Sequence, residues 1–148
     1  MAKRILVPLD QSPMAESMVP LVADTARGAQ ATVRLLHVAP LPHSRIDEEG
    51  RVLAYVDQET ERLEAEGLDY LHAIEVQFAE APVECVVRFG DPVSEILREA
   101  EAFEADLIAV STAGRSGVSR ALFGSVAEEV LRKAKVPVML MRPGGSRP

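Results

Sequence analysis

Leu107-Ile108-Ala109-Val110-Ser111-Thr112-Ala113-Gly114-Arg115-Ser116-Gly117-Val118-Ser119-Arg120-Ala121-Leu122-Phe123-Gly124-Ser125-Val126-Ala127-Glu128-Glu129-Val130-Leu131 reads as a strand, a loop and a helix. Leu107 to Val110 is a continuous apolar run, as in a strand buried on both faces. Ser125 to about Ala134 has helical character, with Arg132, Lys133 and Lys135 at the end that suits cations. The loop between them is rich in Gly, Ser and Arg. Glycines let the backbone approach a ligand closely, and the following helix start offers unpaired N–H groups and a positive dipole end. Hydroxyls and guanidinium groups add donors, so the stretch suits a phosphate. The same composition also serves a surface loop whose glycines only make turns.

Outward from this stretch the same alternation recurs. Ile5-Leu6-Val7-Pro8-Leu9 reads as a first buried strand. Ser12 is a good N-cap and Pro13 a good first helical residue. Ala15, Met18, Val19, Val22, Ala23 and Ala26 follow at helical spacing, and Gly28 is expected to close that helix. Ala31 to Val38 reads as a second strand, and Leu41 to about Gly50 as an exposed loop. A helical segment is expected from about Arg51 to Phe78, with Gly67 either kinking it or dividing it in two, and its charged part, Asp57 to Glu66, as a solvated face. Val83 to Arg88 is a more mixed strand, suited to a sheet edge. Asp91 and Pro92 begin an amphipathic helix that carries Val93, Ile96, Leu97 and Ala100. Val136 to Met141 is a fifth strand, and the tail Pro143–Pro148 is expected to be disordered.

Five strands alternating with helices predict one three-layer α/β domain over residues 1–148, with a five-stranded parallel sheet in the order 3-2-1-4-5. That order makes the first and fourth strands neighbours. Asp10 and the stretch from Ser111 to Gly114 then meet at one crevice beyond the strand ends, where the strand order reverses.

The chain has 148 residues, 47% apolar and 26% charged, with 23 acidic against 16 basic residues and a net charge of −7. That balance argues against nucleic acid or an anionic membrane as the main partner. Cys85 is the only cysteine, so no intramolecular disulfide can form, and a cytoplasmic location is expected. No signal peptide is expected from the start Met1-Ala2-Lys3-Arg4, and no apolar run reaches the ~18 residues of a membrane helix. There is no GxxxxGK[ST] and no GxGxxG, and no His/Cys/carboxylate set has metal-ligand spacing in the sequence. His37 in its apolar strand reads as a hydrogen-bonded core residue, and Cys85 as a small buried hydrophobe. Asp10 could simply cap the first helix, and Ser125 with Glu128 forms a capping-box pattern.

Ile5-Leu6-Val7-Pro8-Leu9-Asp10 with Ser12, Leu35-Leu36-His37-Val38, Gly90-Asp91-Pro92, and Gly114 followed by nine residues and Gly124-Ser125 together resemble the universal stress protein family. The resemblance covers nearly the whole chain. Ser111 stands where the first glycine of the family's Gly-x2-Gly-x9-Gly-Ser/Thr motif falls, and Ala113 where many members have His. The resemblance implies the adenine nucleotide alpha hydrolase-like fold and an ATP-binding regulatory protein with little or no hydrolysis. It leaves open whether Mg²⁺ accompanies the phosphates. It implies that Pro8, Leu9 and Asp10 lie beside the ribose and base, with Asp10 accepting from ribose hydroxyls. Val38 would offer backbone groups to adenine, and Gly114, Arg115, Gly117, Gly124, Ser125 and Val126 would surround the phosphates. Ser111 and Thr112 belong to the same candidate site.

The alternative is a homodimeric scaffold with a weakened nucleotide site. Val136, Val138, Met139, Leu140 and Met141 lie on the expected edge strand, which invites pairing with a second copy.

Overall fold

The computed structural model of the protein describes residues 3–112 and 125–142. The sequence alternation becomes β1 (Arg4–Pro8), α1 (Pro13–Glu16), α2 (Val19–Ala29), β2 (Thr32–Ala39), β3 (Arg45–Ile46), β4 (Val52–Ala54), α3 (Val56–Glu75), β5 (Val83–Phe89), α4 (Pro92–Phe103), β6 (Leu107–Ser111), α5 (Ser125–Lys133) and β7 (Val138–Met141). A short 3₁₀ turn, Val76–Phe78, follows α3.

The five-stranded sheet has the order β5-β2-β1-β6-β7, and every pairing in it is parallel. Counting only sheet strands, this is the expected 3-2-1-4-5. Alternation along β1 divides the core between two faces. Ile5, Val7 and Leu9 join Val19, Val22 and Ala26 of α2 and Leu71 and Ile74 of α3. Leu6 joins Val93, Ile96, Ala100 and Phe103 of α4 and Ala127 and Val130 of α5. The crossovers therefore change face where the chain passes to the other side of β1. β5 is an edge strand as expected, and β7 is the other edge.

Several local expectations are corrected. The first helix is divided into α1 and α2, because Pro20 lacks an N–H to donate and its ring clashes with the carbonyl one turn earlier. α2 ends on Gln30 rather than Gly28; Gln30 takes φ 54°, and its N–H and that of Ala31 cap the last turn.

Residues 41–54 are not simply a loop leading into a helix, because β3 and β4 pair antiparallel there. Asp47 nucleates their turn, its Oδ1 accepting from the N–H of Glu49 at 3.0 Å and of Arg51 at 2.8 Å. The long helix accordingly begins at Val56, where Gln58 Oε1 accepts from the Tyr55 N–H.

Gly67 neither kinks nor divides α3. A Cβ there would lie 2.8 Å from Val87 Cγ2 and 3.3 Å from His37 Cδ2, so glycine lets the helix lie close on β2 and β5. Finally, the charged part of α3 is not wholly solvated. Glu59 is buried and takes Arg62 Nη2 at 2.8 Å.

Candidate functional site

β1 is a buried strand whose carboxyl end turns sharply. Gln11 takes φ 67°, a left-handed conformation that costs a side-chain-bearing residue energy unless its neighbours support it. Asp10 supplies that support, its Oδ1 accepting from the Ser12 N–H at 3.1 Å. Ser12 then caps α1, its Oγ accepting from the Ala15 N–H at 3.0 Å. The turn holds the half-buried Asp10 carboxylate at the strand end. Ser12 is the N-cap the sequence suggested, and the alternative cap reading of Asp10 does not hold.

Leu9, one residue earlier, is fully committed to structure. Its side chain is in the core, and its N–H donates to the Leu36 carbonyl at 2.8 Å. His37 Nδ1 lies 2.9 Å from the Leu9 carbonyl oxygen. The carbonyl can only accept, so Nδ1 carries the proton. His37 is the hydrogen-bonded core residue the sequence suggested.

Behind this turn stands Tyr70 of α3, packed edge-on to His37 with ring centroids 6.1 Å apart. Its buried hydroxyl approaches the Glu16 carboxylate and the Gln11 backbone but meets no hydrogen-bond geometry among the described residues. Burial, then the charges of Glu16 and Asp10, push its ionisation far up, so it stays a neutral donor. Sequence reasoning missed Tyr70; a tyrosine on the inner side of a charged helix was the only available signal.

β6 lies beside β1, with Ile5 opposite Leu107 and Leu6 opposite Ile108. Continuing that register places Leu9 level with Ser111 and Asp10 level with Thr112. Ser111 is half-buried at the end of β6, and Thr112 is buried, its N–H donating to the Met141 carbonyl at 2.9 Å. On the other side of β1, the register with β2 sets Pro8 opposite Leu36, and Val38 lies near the end of β2, half-buried like Pro8. Pro8, Asp10, Val38, Ser111 and Thr112 thus gather at the carboxyl ends of three adjacent strands. Gly114, Arg115, Gly117 and Gly124 lie outside the described residues. Ser125 and Val126 begin α5 and are exposed.

One further charged cluster also escaped the sequence. Glu99 of α4 is 1% exposed, a charged-type side chain inside the core. Arg34 Nη1 donates to it at 2.6 Å, Arg88 donates from β5, and the Arg34 guanidinium lies 4.2 Å over the Phe103 ring. Two cations satisfy both carboxylate oxygens, which is what permits the burial. Glu99 follows Ile96 by three residues, so its place on the buried face was readable, but its partners were not.

The profile of the Universal stress protein family matches residues 1–142. Universal stress protein MJ0531 of Methanocaldococcus jannaschii is 30% identical over 143 residues, 95% of this chain and 82% of its own length. Universal stress protein Rv2005c of Mycobacterium tuberculosis is 30% identical over 93% of this chain, which spans only 45% of that longer relative. Among solved structures, that of hypothetical protein MJ0577 superposes with a TM-score of 0.81 at 26% identity, covering 99% of both chains. A universal stress protein in complex with cAMP has a TM-score of 0.69 at 18% identity, over 97% of this chain and 98% of its own. The Archaeoglobus fulgidus universal stress protein in complex with dAMP has a TM-score of 0.59 at 22% identity, over 95% of this chain and 97% of its own. The fold, the strand order and the near-complete profile match agree: this chain belongs to the universal stress protein family.

Proposed function

We propose that this protein is an adenine-nucleotide-binding regulatory protein that takes ATP at the crevice above β1, β2 and β6 and hydrolyses it little or not at all. The observation that carries this reading is the position of Asp10 at the point where strand order reverses, the place where open parallel sheets bind their ligands. An ionised carboxylate only accepts hydrogen bonds, which is the complement a pair of ribose hydroxyls requires. Two proteins of the same fold, in complex with cAMP and dAMP, lend support to the adenine nucleotide class. In this reading Gly114, Arg115, Gly117, Gly124 and the N–H groups at Ser125 and Val126 hold the phosphates, with or without Mg²⁺. Nothing in the set supplies an evident base to orient a water, which is why hydrolysis is slow.

The test is to denature the purified protein, identify any released nucleotide by chromatography, and titrate the emptied protein with ATP and adenosine by calorimetry. ATP binding much more tightly than adenosine is expected, because phosphate contacts carry the affinity. Failure to bind ATP would overturn the reading. It would favour the second one, a homodimeric scaffold, for which the motivating observation is the half-buried Ser111 where the family motif has glycine.

Either reading includes a homodimer through β7. Among the described residues no strand pairs with its outer edge. The Pro137 and Met141 carbonyls bond to β6, so alternation turns the backbone groups of Val138 and Leu140 outward. An apolar open edge of this kind pairs with its own copy about a two-fold axis. Light scattering should report a dimer for the unchanged protein and a monomer for Leu140→Lys; a monomeric unchanged protein at high micromolar concentration would end the idea.

A further inference from the structure

At the end of the sheet away from the Asp10 crevice, the last turn of α3 rests on the edge strand β5. His72 and Glu75 are three residues apart on that turn, so they share one face of the helix. Cys85 meets them from β5, on the side where Val83 and Val87 also pack toward α3. One ligand atom from each residue (an imidazole nitrogen, a carboxylate oxygen and the thiol sulfur) lies within 4.8 Å of the other two. Cys85 Sγ is 3.8 Å from Glu75 Oε2.

We propose that His72, Glu75 and Cys85 form a binding site for a borderline-soft divalent cation of the Zn²⁺ class. Ligands about 2.0–2.3 Å from a tetrahedral Zn²⁺ stand roughly 3.5 Å from one another. The sulfur–oxygen separation is already close to that, and the remaining adjustment is within the reach of side-chain rotation.

The donor set selects the metal. A thiolate with an imidazole and one carboxylate suits Zn²⁺, whereas Mg²⁺ and Ca²⁺ require oxygen ligands throughout. Charge balance agrees. One thiolate and one carboxylate neutralise a divalent cation. Formation of the metal–sulfur bond displaces the thiol proton to solvent, with no change of oxidation state.

Glu75 and Cys85 are half-buried and His72 is exposed, so the fourth coordination position opens to water. The site would clip the end of α3 to an edge strand whose one neighbouring strand is β2. Neither the sequence spacing nor the nucleotide crevice depends on it.

The experiment uses the full chain, stripped with chelator, kept reduced and titrated with Co²⁺ in the absence of nucleotide. One Co²⁺ per chain is expected, with a thiolate-to-cobalt charge-transfer band, ligand-field bands of tetrahedral intensity, and displacement by Zn²⁺. Cys85→Ser should abolish the charge-transfer band. His72→Ala, a change at an exposed position that leaves the core intact, should weaken Co²⁺ binding by about tenfold or more, as should Glu75→Gln. Absence of the charge-transfer band at stoichiometric Co²⁺, or unchanged affinity in His72→Ala, would overturn the proposal and leave a thiol–carboxylate contact only.

Discussion

His37 Nδ1 and the Leu9 carbonyl oxygen, 2.9 Å apart and buried, tie the carboxyl-terminal part of β2 to the residue just before Asp10. The bond crosses 28 residues of chain and satisfies a buried carbonyl. Replacing the imidazole by a ring of similar size should expose that role. His37→Phe keeps the aromatic contact with Tyr70 but orphans the Leu9 carbonyl, which should cost about 1–3 kcal/mol. Urea denaturation measures the loss directly. ATP affinity should fall with it, because the turn that carries Asp10 hangs from Leu9; a variant as stable as the parent would show the bond to be dispensable.

Gly67→Ala sets two effects against each other. Helix propensity favours alanine by about 1 kcal/mol. The new methyl would sit 2.8 Å from Val87 Cγ2, and a β-branched neighbour in a strand gives way poorly. Overpacking of this kind costs about 1–3 kcal/mol, so the net change should be destabilising. In a Val87→Ala background the contact disappears and the same substitution should turn neutral or stabilising. Thermal unfolding of the four proteins in that cycle checks the sign.

Burial, and then the neighbouring Glu75 charge, push the Cys85 thiol up to about 11. The raised value favours the neutral thiol in the folded state, and that contribution is present below the ordinary thiol range and lost as pH rises toward 11. In chelator-treated protein, alkylation near neutral pH should therefore be slow, with a thiolate population about a hundredfold below that of a free thiol. Reactivity should climb steeply as pH approaches 11, and Glu75→Gln should shift the profile to lower pH. A flat profile, or one centred on the free-thiol value, would contradict the assigned environment.

Ser111 ends β6 where the family motif has glycine, and under the proposed function its side chain lies beside the phosphate. Ser111→Ala should then weaken ATP binding by about 1 kcal/mol, the value of one hydrogen bond. Calorimetry on Ser111→Ala and Ser111→Gly separates donation from obstruction, since tighter binding by the glycine variant would mean that the serine only crowds the site.

Much of this protein was determined by its sequence alone. Continuous apolar runs such as Ile5–Leu9 and Leu107–Val110 specify strands buried on both faces, and strands alternating with helices leave few topologies open. Asp91 could be assigned as a cap because its reach is local, three residues to the Ser94 N–H. The gathering of Asp10 and Ser111 followed from the strand order. Local pattern reports burial and dihedral preference; it does not report which side chains face one another. Only the tertiary structure decided that Gly67 is a contact with Val87 rather than a break, that Glu99 is held by Arg34 from 65 residues away, and that His72 and Glu75 meet Cys85. Those relationships arise where α3 and α4 lie down on the sheet. Their register on it is set by packing of the whole core, a sum over contacts that no short window of sequence contains.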